Sequence, residues 1–167
     1  MAIFLREEDV RRLLPMDEAI DALERAFTEQ GGGTGVNSPR QRIQAGGAGM
    51  TMMVAALGSQ GVSGFKTQGA GRPLVLLYGG EPRQLLAVME AGGLGQIRTG
   101  AASGVATKYM AREDATSVGM IGTGNQAITQ LTAVCAVRNI RNIKAYSRTP
   151  ERREEFCKRM SESLGIE

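Results

Sequence analysis

Two glycines one residue apart, Gly122 and Gly124, stand between a short apolar run and helix-forming residues in Ser117-Val-Gly-Met-Ile-Gly-Thr-Gly-Asn-Gln-Ala127. Two glycines alone are a weak signal, and the elements on either side give that order its meaning. The order predicts a strand, a tight turn taken by Gly122, and a helix. Gly124 would let the backbone come close to a pyrophosphate at the helix N-terminus. Ala127 holds the third position of the usual glycine fingerprint, where a methyl group still lets helix and strand pack closely. Ile143-Lys-Ala-Tyr-Ser147 reads as a second strand after an amphipathic helix. The segment is then a βαβ unit of about 30 residues, the context that such a turn requires.

A further helix is marked by Thr149 as cap, Pro150 at its first position and Gly165 at its close. Phe156, Met160 and Leu164 recur on its buried face, and Ile166 reads as the start of a third strand. A dinucleotide fold has two such halves, so the expectation is a truncated chain. A half-sheet alone would carry an unpaired edge and bare apolar faces, an aggregation hazard.

Composition closes off several classes of function. The net charge of +3 comes from scattered Lys and Arg without a continuous basic stripe, which argues against nucleic acid. No apolar run reaches the length of a membrane span, and Arg6, Glu7 and Glu8 follow Met1 too soon for a secretory signal. A cytoplasmic protein is therefore expected. Cys135 and Cys157 lie in different predicted helices without metal-ligand spacing, and are expected to be buried, reduced thiols. The chain has no His. That excludes imidazole acid–base chemistry, His-based triads and His-ligated zinc, and leaves proton transfer to Lys, Asp, Glu, Tyr or water.

The N-terminal part begins with helices over 7–14 and 16–30, the second carrying Met16, Ile20, Leu23 and Phe27 toward a core. Strands are predicted over 40–44, 50–57, 62–66, 74–78 and 84–90, making an antiparallel α+β layer. Residues 94–110 form a helix rich in Ala and Gly, suited to close approach against another backbone. The domain boundary is expected after Asp114, giving residues 1–114 and 115–167. The fold class is α/β.

Four cations from three segments, Arg40, Arg42, Lys66 and Arg98, are candidates for one cleft. Arg40 and Arg42 are two apart in a predicted strand and so share a face. Lys66 follows Phe65 at the end of an apolar run, where burial would lower an ammonium pKa. Arg98 heads the small-residue helix beside Thr99 and Gly100, placed to clamp a carboxylate with two hydrogen bonds.

Leu94-Gly-Gln-Ile-Arg-Thr-Gly-Ala-Ala-Ser-Gly-Val-Ala-Thr-Lys-Tyr-Met-Ala111 followed by Val118-Gly-Met-Ile-Gly-Thr-Gly-Asn-Gln-Ala127 closely resembles the ornithine cyclodeaminase/mu-crystallin family. Gly64-Phe-Lys-Thr67, Leu14-Pro-Met-Asp-Glu-Ala-Ile20 and Tyr146-Ser-Arg148 fit as well. The resemblance implies an N-terminal α+β domain that holds substrate and builds a homodimer, followed by the first part of a Rossmann domain for NAD(P). It implies that Lys66, Arg98 and either Arg40 or Arg42 contact an amino-acid substrate, with Lys66 catalytic. The dinucleotide is expected at Thr99, Gly122, Thr123, Gly124, Asn125, Gln126, Ser147 and Arg148. Members of that family run to about twice this length, and their catalytic Asp lies beyond these residues. The loop Thr67-Gln-Gly-Ala-Gly-Arg-Pro73 is shorter than is usual among them.

The leading expectation is an NAD(P)-dependent enzyme that converts ornithine to proline and ammonia. An alanine dehydrogenase, a cyclic-imine reductase and a mu-crystallin-like NADP(H)-dependent binding protein are the alternatives, and the chain by itself is expected to be inactive. NADP is favoured over NAD. The position about 20 residues beyond the glycines, where NAD-specific sites carry a carboxylate, holds Ser147 and then Arg148.

Overall fold

A computed structural model describes residues 1–69 and 71–166. The chain divides into two compact units, Met1–Pro15 with Glu24–Gly95, and Met16–Leu23 with Gln96–Glu167. The division falls inside a helix, before the boundary expected at Asp114.

In the first unit, β1 (Ile3–Leu5) leads to α1 (Glu7–Leu13), and α2 (Met16–Gly31) follows, contributing to both units. Then come β2 (Gly35–Asn37), β3 (Gln41–Ala45), β4 (Ala48–Leu57), β5 (Val62–Gln68), β6 (Leu74–Gly79) and β7 (Gln84–Glu90). Among the described residues these strands form one sheet in the order β1-β7-β6-β5-β4-β2, with β3 also on β4. The five strands read from the sequence are all present. The layer is not wholly antiparallel, because β1 pairs parallel to β7. β1 and β2 are three residues long, too short for alternation to show, and only their partners make them strands. Arg40 precedes β3, so the strand rule that would align it with Arg42 does not apply to it.

The second unit contains most of α3 (Gly92–Met110), then β8 (Ser117–Ile121), α4 (Asn125–Val137), β9 (Asn142–Tyr146) and α5 (Pro150–Leu164). β8 and β9 run parallel, in register from Ser117↔Asn142 to Ile121↔Tyr146, as a βαβ unit demands. Ala127 and Leu131 of α4 and Phe156 and Met160 of α5 form a buried cluster, with Val118, Met120, Ile143 and Ala145 of the strands packed on it. The small residues of α3 allow the expected close approach. A β-carbon on Gly100 would collide with the Thr129 backbone of α4. One on Gly104 would stand 2.9 Å from Ile20 and 3.2 Å from Ala133.

Several local expectations are corrected. Ile20 is buried, but Phe27, two turns further along the same face of α2, is 44% exposed. Thr149 caps α5 without a side-chain hydrogen bond; its backbone carbonyl accepts from the Arg153 amide at 3.2 Å instead. Gly165 does close α5 in the left-handed region, at φ 64°. Cys135 and Cys157 are free thiols, half-buried rather than buried, because both sit at the margin of the α4–α5 cluster. Ile166 lies outside any strand, and Ala70, in the short loop before β6, lies outside the described residues.

Candidate functional site

The turn between β8 and α4 has the backbone geometry its sequence predicts. Gly122 sits at φ 97°, a region L side chains rarely enter. Its amide donates to the Tyr146 carbonyl at 2.8 Å, which ties the turn to the end of β9. Gly124 is the N-cap of α4 in extended conformation and supplies no side-chain cap, so the first-turn amides of the helix face the turn. At neither glycine does any protein atom lie within 4 Å of the place a β-carbon would occupy. The packing of the chain therefore does not require glycine at 124. A side chain there would enter the open space in front of the helix N-terminus, where amides and helix dipole suit an anion. Gly122, Gly124 and Gln126 help to line a cavity of about 220 Å³ at this point. These residues fit a dinucleotide pyrophosphate.

Thr123 lies between the glycines and is half-buried, while Asn125 and Gln126 begin α4 and are exposed. Ser147 and Arg148 follow β9 directly and come beside the turn through the Gly122–Tyr146 bond. Ser147 is half-buried and its hydroxyl accepts from the Thr149 amide at 3.5 Å; Arg148 is exposed. The nearest carboxylate along the chain is Glu151, in the first turn of α5.

In the first unit the register decides which side chains share a face. Lys66 lies opposite Met53, and Arg42 opposite Thr51, so Lys66 and Arg42 point to the same side of β3–β4–β5. Arg42 is exposed at the rim, as is Arg40 just before the strand. Lys66, its ammonium expected to be buried, is a half-buried residue. It rests against the start of α3, where a β-carbon on Gly95 would lie 3.0 Å from Nζ. Val36, Ile43, Met50 and Val54 occupy the opposite face, and all four are exposed.

Arg98 and Thr99 belong to the second unit. Arg98 is exposed, and it stands in the second turn of α3, not at its head, because the helix starts at Gly92. Thr99 is half-buried, and its carbonyl accepts from the Ser103 hydroxyl at 3.4 Å. Burial pushes the Cys135 thiol up from its ordinary value, which keeps it protonated and a poor nucleophile near neutral pH.

Two charged residues passed over in the sequence prove to organise α3. Glu7 accepts from the Gly93 amide at the start of the helix. The Arg138 guanidinium donates to the carbonyls of Thr107, Lys108, Ala111 and Arg112 at its end. Both are contacts between distant segments, and neither leaves a local pattern. Among the described residues no helix is long and apolar enough to cross a membrane.

Comparison with known proteins agrees with this geometry. Alanine dehydrogenase of Archaeoglobus fulgidus is 36% identical over 155 residues, 86% of this chain and 48% of that protein. Delta(1)-pyrroline-2-carboxylate reductase of Bacillus cereus is 46% identical over 86 residues, 52% of this chain and 26% of that protein. The chain spans about half the length of the alanine dehydrogenase it matches. Among solved structures, the Thermococcus litoralis Delta(1)-pyrroline-2-carboxylate reductase in complex with NADH and L-proline superposes with a TM-score of 0.86 at 35% identity. That match covers 99% of this chain and 55% of the other. An archaeal alanine dehydrogenase dimer with bound NAD gives 0.88 at 33% identity, covering 99% and 54%. Residues 1–167 match the ornithine cyclodeaminase/mu-crystallin family throughout, and the chain belongs to that family.

Proposed function

We propose that the protein is an NAD(P)-dependent oxidoreductase acting at the carbon–nitrogen bond of a small amino or imino acid. The observation that carries this reading is the turn at Gly122–Gly124, open in front of the α4 N-terminus and joined to the end of β9. The alanine dehydrogenase and pyrroline-2-carboxylate reductase relatives support it, and they favour reductase or dehydrogenase chemistry over the expected ornithine cyclodeamination. A bound nicotinamide would supply or accept a hydride.

The residues of this chain would bind and orient the substrate. Lys66 pairs with the substrate carboxylate or with charge that develops beside it, and Arg98 clamps the carboxylate with two N–H donors. Arg42, on the face of Lys66, is favoured over Arg40 as the third cation. Thr99, Thr123, Asn125 and Gln126 would contact the dinucleotide, and Ser147 with Arg148 would take a 2′-phosphate, giving a preference for NADP(H). A homodimer formed through the apolar face of Val36, Ile43, Met50 and Val54 completes the reading; the archaeal alanine dehydrogenase neighbour is described as a dimer.

The test is turnover of pyruvate with ammonia, of five- and six-membered cyclic imino acids, and of ornithine, with either dinucleotide. Each charge-assisted hydrogen bond contributes about 1.5–3 kcal/mol, roughly 10- to 100-fold, so Lys66→Ala should lower kcat/KM by about that factor and Arg98→Ala, which loses two such bonds, by about 100-fold or more. Dinucleotide affinity should stay nearly unchanged in both. Near-normal turnover in both variants would show that the substrate site lies elsewhere. Dinucleotide binding with no turnover of any of these compounds would favour a binding protein of the mu-crystallin kind.

A further inference from the structure

Four charged side chains meet where α1 and β7 run up to the start of α3. The Glu7 carboxylate accepts the Gly93 amide, and a β-carbon on Gly92 would lie 3.1 Å from its Oε2. The amide of Glu7 in turn donates to Glu90 Oε2 at 2.8 Å, at the end of β7. Arg11 pairs with Glu7 at 3.1 Å, and Arg72 pairs with Glu90 at 3.1 Å. A β-carbon at 93 would strike the Glu7 carboxylate and stand 3.0 Å from the Arg11 guanidinium carbon, while one at 92 would crowd the same carboxylate. The first turn of α3 presents amides and a positive dipole end, and a carboxylate from α1 meets both.

The same turn carries Gly95. Its amide donates to the Ala91 carbonyl at 3.1 Å, and the Lys66 ammonium lies against it, 3.0 Å from where a β-carbon would be. Glu7 and Lys66 therefore bear on one helical turn from two different elements. We propose that Glu7 is a positioning residue for Lys66: by holding the first turn of α3 through the Gly93 amide, it fixes the backbone on which the Lys66 ammonium rests. Its consequence for activity rests on the reading of Lys66 as a substrate ligand.

The test uses Glu7→Ala, Glu7→Gln and Gly95→Ala in the intact protein. Acylation of Lys66 by a water-soluble acetylating reagent is read by peptide mass spectrometry, with the exposed Lys144 and Lys158 as references. Glu7→Ala and Gly95→Ala should each change Lys66 acylation several-fold relative to the references. Glu7→Gln should restore the native value, because its amide oxygen still accepts from Gly93. In the same variants the substrate KM should rise about tenfold for Glu7→Ala, the size of one lost charge-assisted bond, with the dinucleotide KM unmoved. Native Lys66 acylation in both Glu7→Ala and Gly95→Ala overturns the inference. So does a change shared by the reference lysines, which would be general loosening. Altered Lys66 acylation with an unchanged substrate KM upholds the positioning and removes Lys66 from the substrate site.

Discussion

Ser147 and Arg148 leave β9 beside the glycine turn because the Gly122 amide is bonded to the Tyr146 carbonyl. A carboxylate at that strand end would accept from ribose hydroxyls and repel a 2′-phosphate, whereas a hydroxyl and a guanidinium would do the reverse. NADPH should therefore bind more tightly than NADH. Arg148→Ala should cost about 1.5–3 kcal/mol of NADPH affinity, roughly 10- to 100-fold, and leave NADH affinity alone. Titration of nicotinamide fluorescence decides it; equal affinities in the native protein would rule the preference out. At this scale the legible residues were those whose role is local. Gly122 could be read because only glycine tolerates its φ, and Gly165 for the same reason. The half-burial of Lys66 could not, since it depends on where α3 runs past β5.

α3 shows what an element requires beyond its own propensity. Its Gly- and Ala-rich composition pointed to close packing, and Gly100 and Gly104 achieve it against α4 and Ile20. Its ends are held by side chains from other segments, Glu7 at one and Arg138 at the other. Arg138 gathers four carbonyl groups of the last turn and the following loop, of which those of Thr107 and Arg112 also accept the Ala111 and Ala115 amides. Arg138→Ala should thus destabilise the protein by about 2–3 kcal/mol, lowering Tm by several degrees. Hydrogen exchange should quicken in the amides of residues 107–112, where the loss falls. Unchanged Tm and unchanged exchange would show that water replaces the guanidinium without cost. Long elements with regular spacing were legible from sequence, whereas β1 and β2 became strands only through β7 and β4.

For the whole molecule, the first unit leaves one sheet face with Val36 62% and Ile43 68% exposed, beside Met50 and Val54. Contiguous apolar surface of this kind marks an interface. Ile43→Lys would place a charge at its centre and should convert the proposed dimer to monomers. Light scattering after size exclusion measures this, and a native protein that is monomeric at micromolar concentration would sink the dimer proposal. The sequence alone determined the βαβ unit, its parallel strands, the glycine turn and the antiparallel core of the first sheet, because each follows from periodicity and backbone sterics within a short span. It also carried the family, through the long motif around Arg98. Tertiary structure alone decided that Arg42 shares a face with Lys66 while Ile43 lies on the other, since facing depends on register across β3, β4 and β5. It alone brought Glu7 to the start of α3 and Arg138 to its end, because a charged side chain finds a distant helix terminus only after the chain between them has folded.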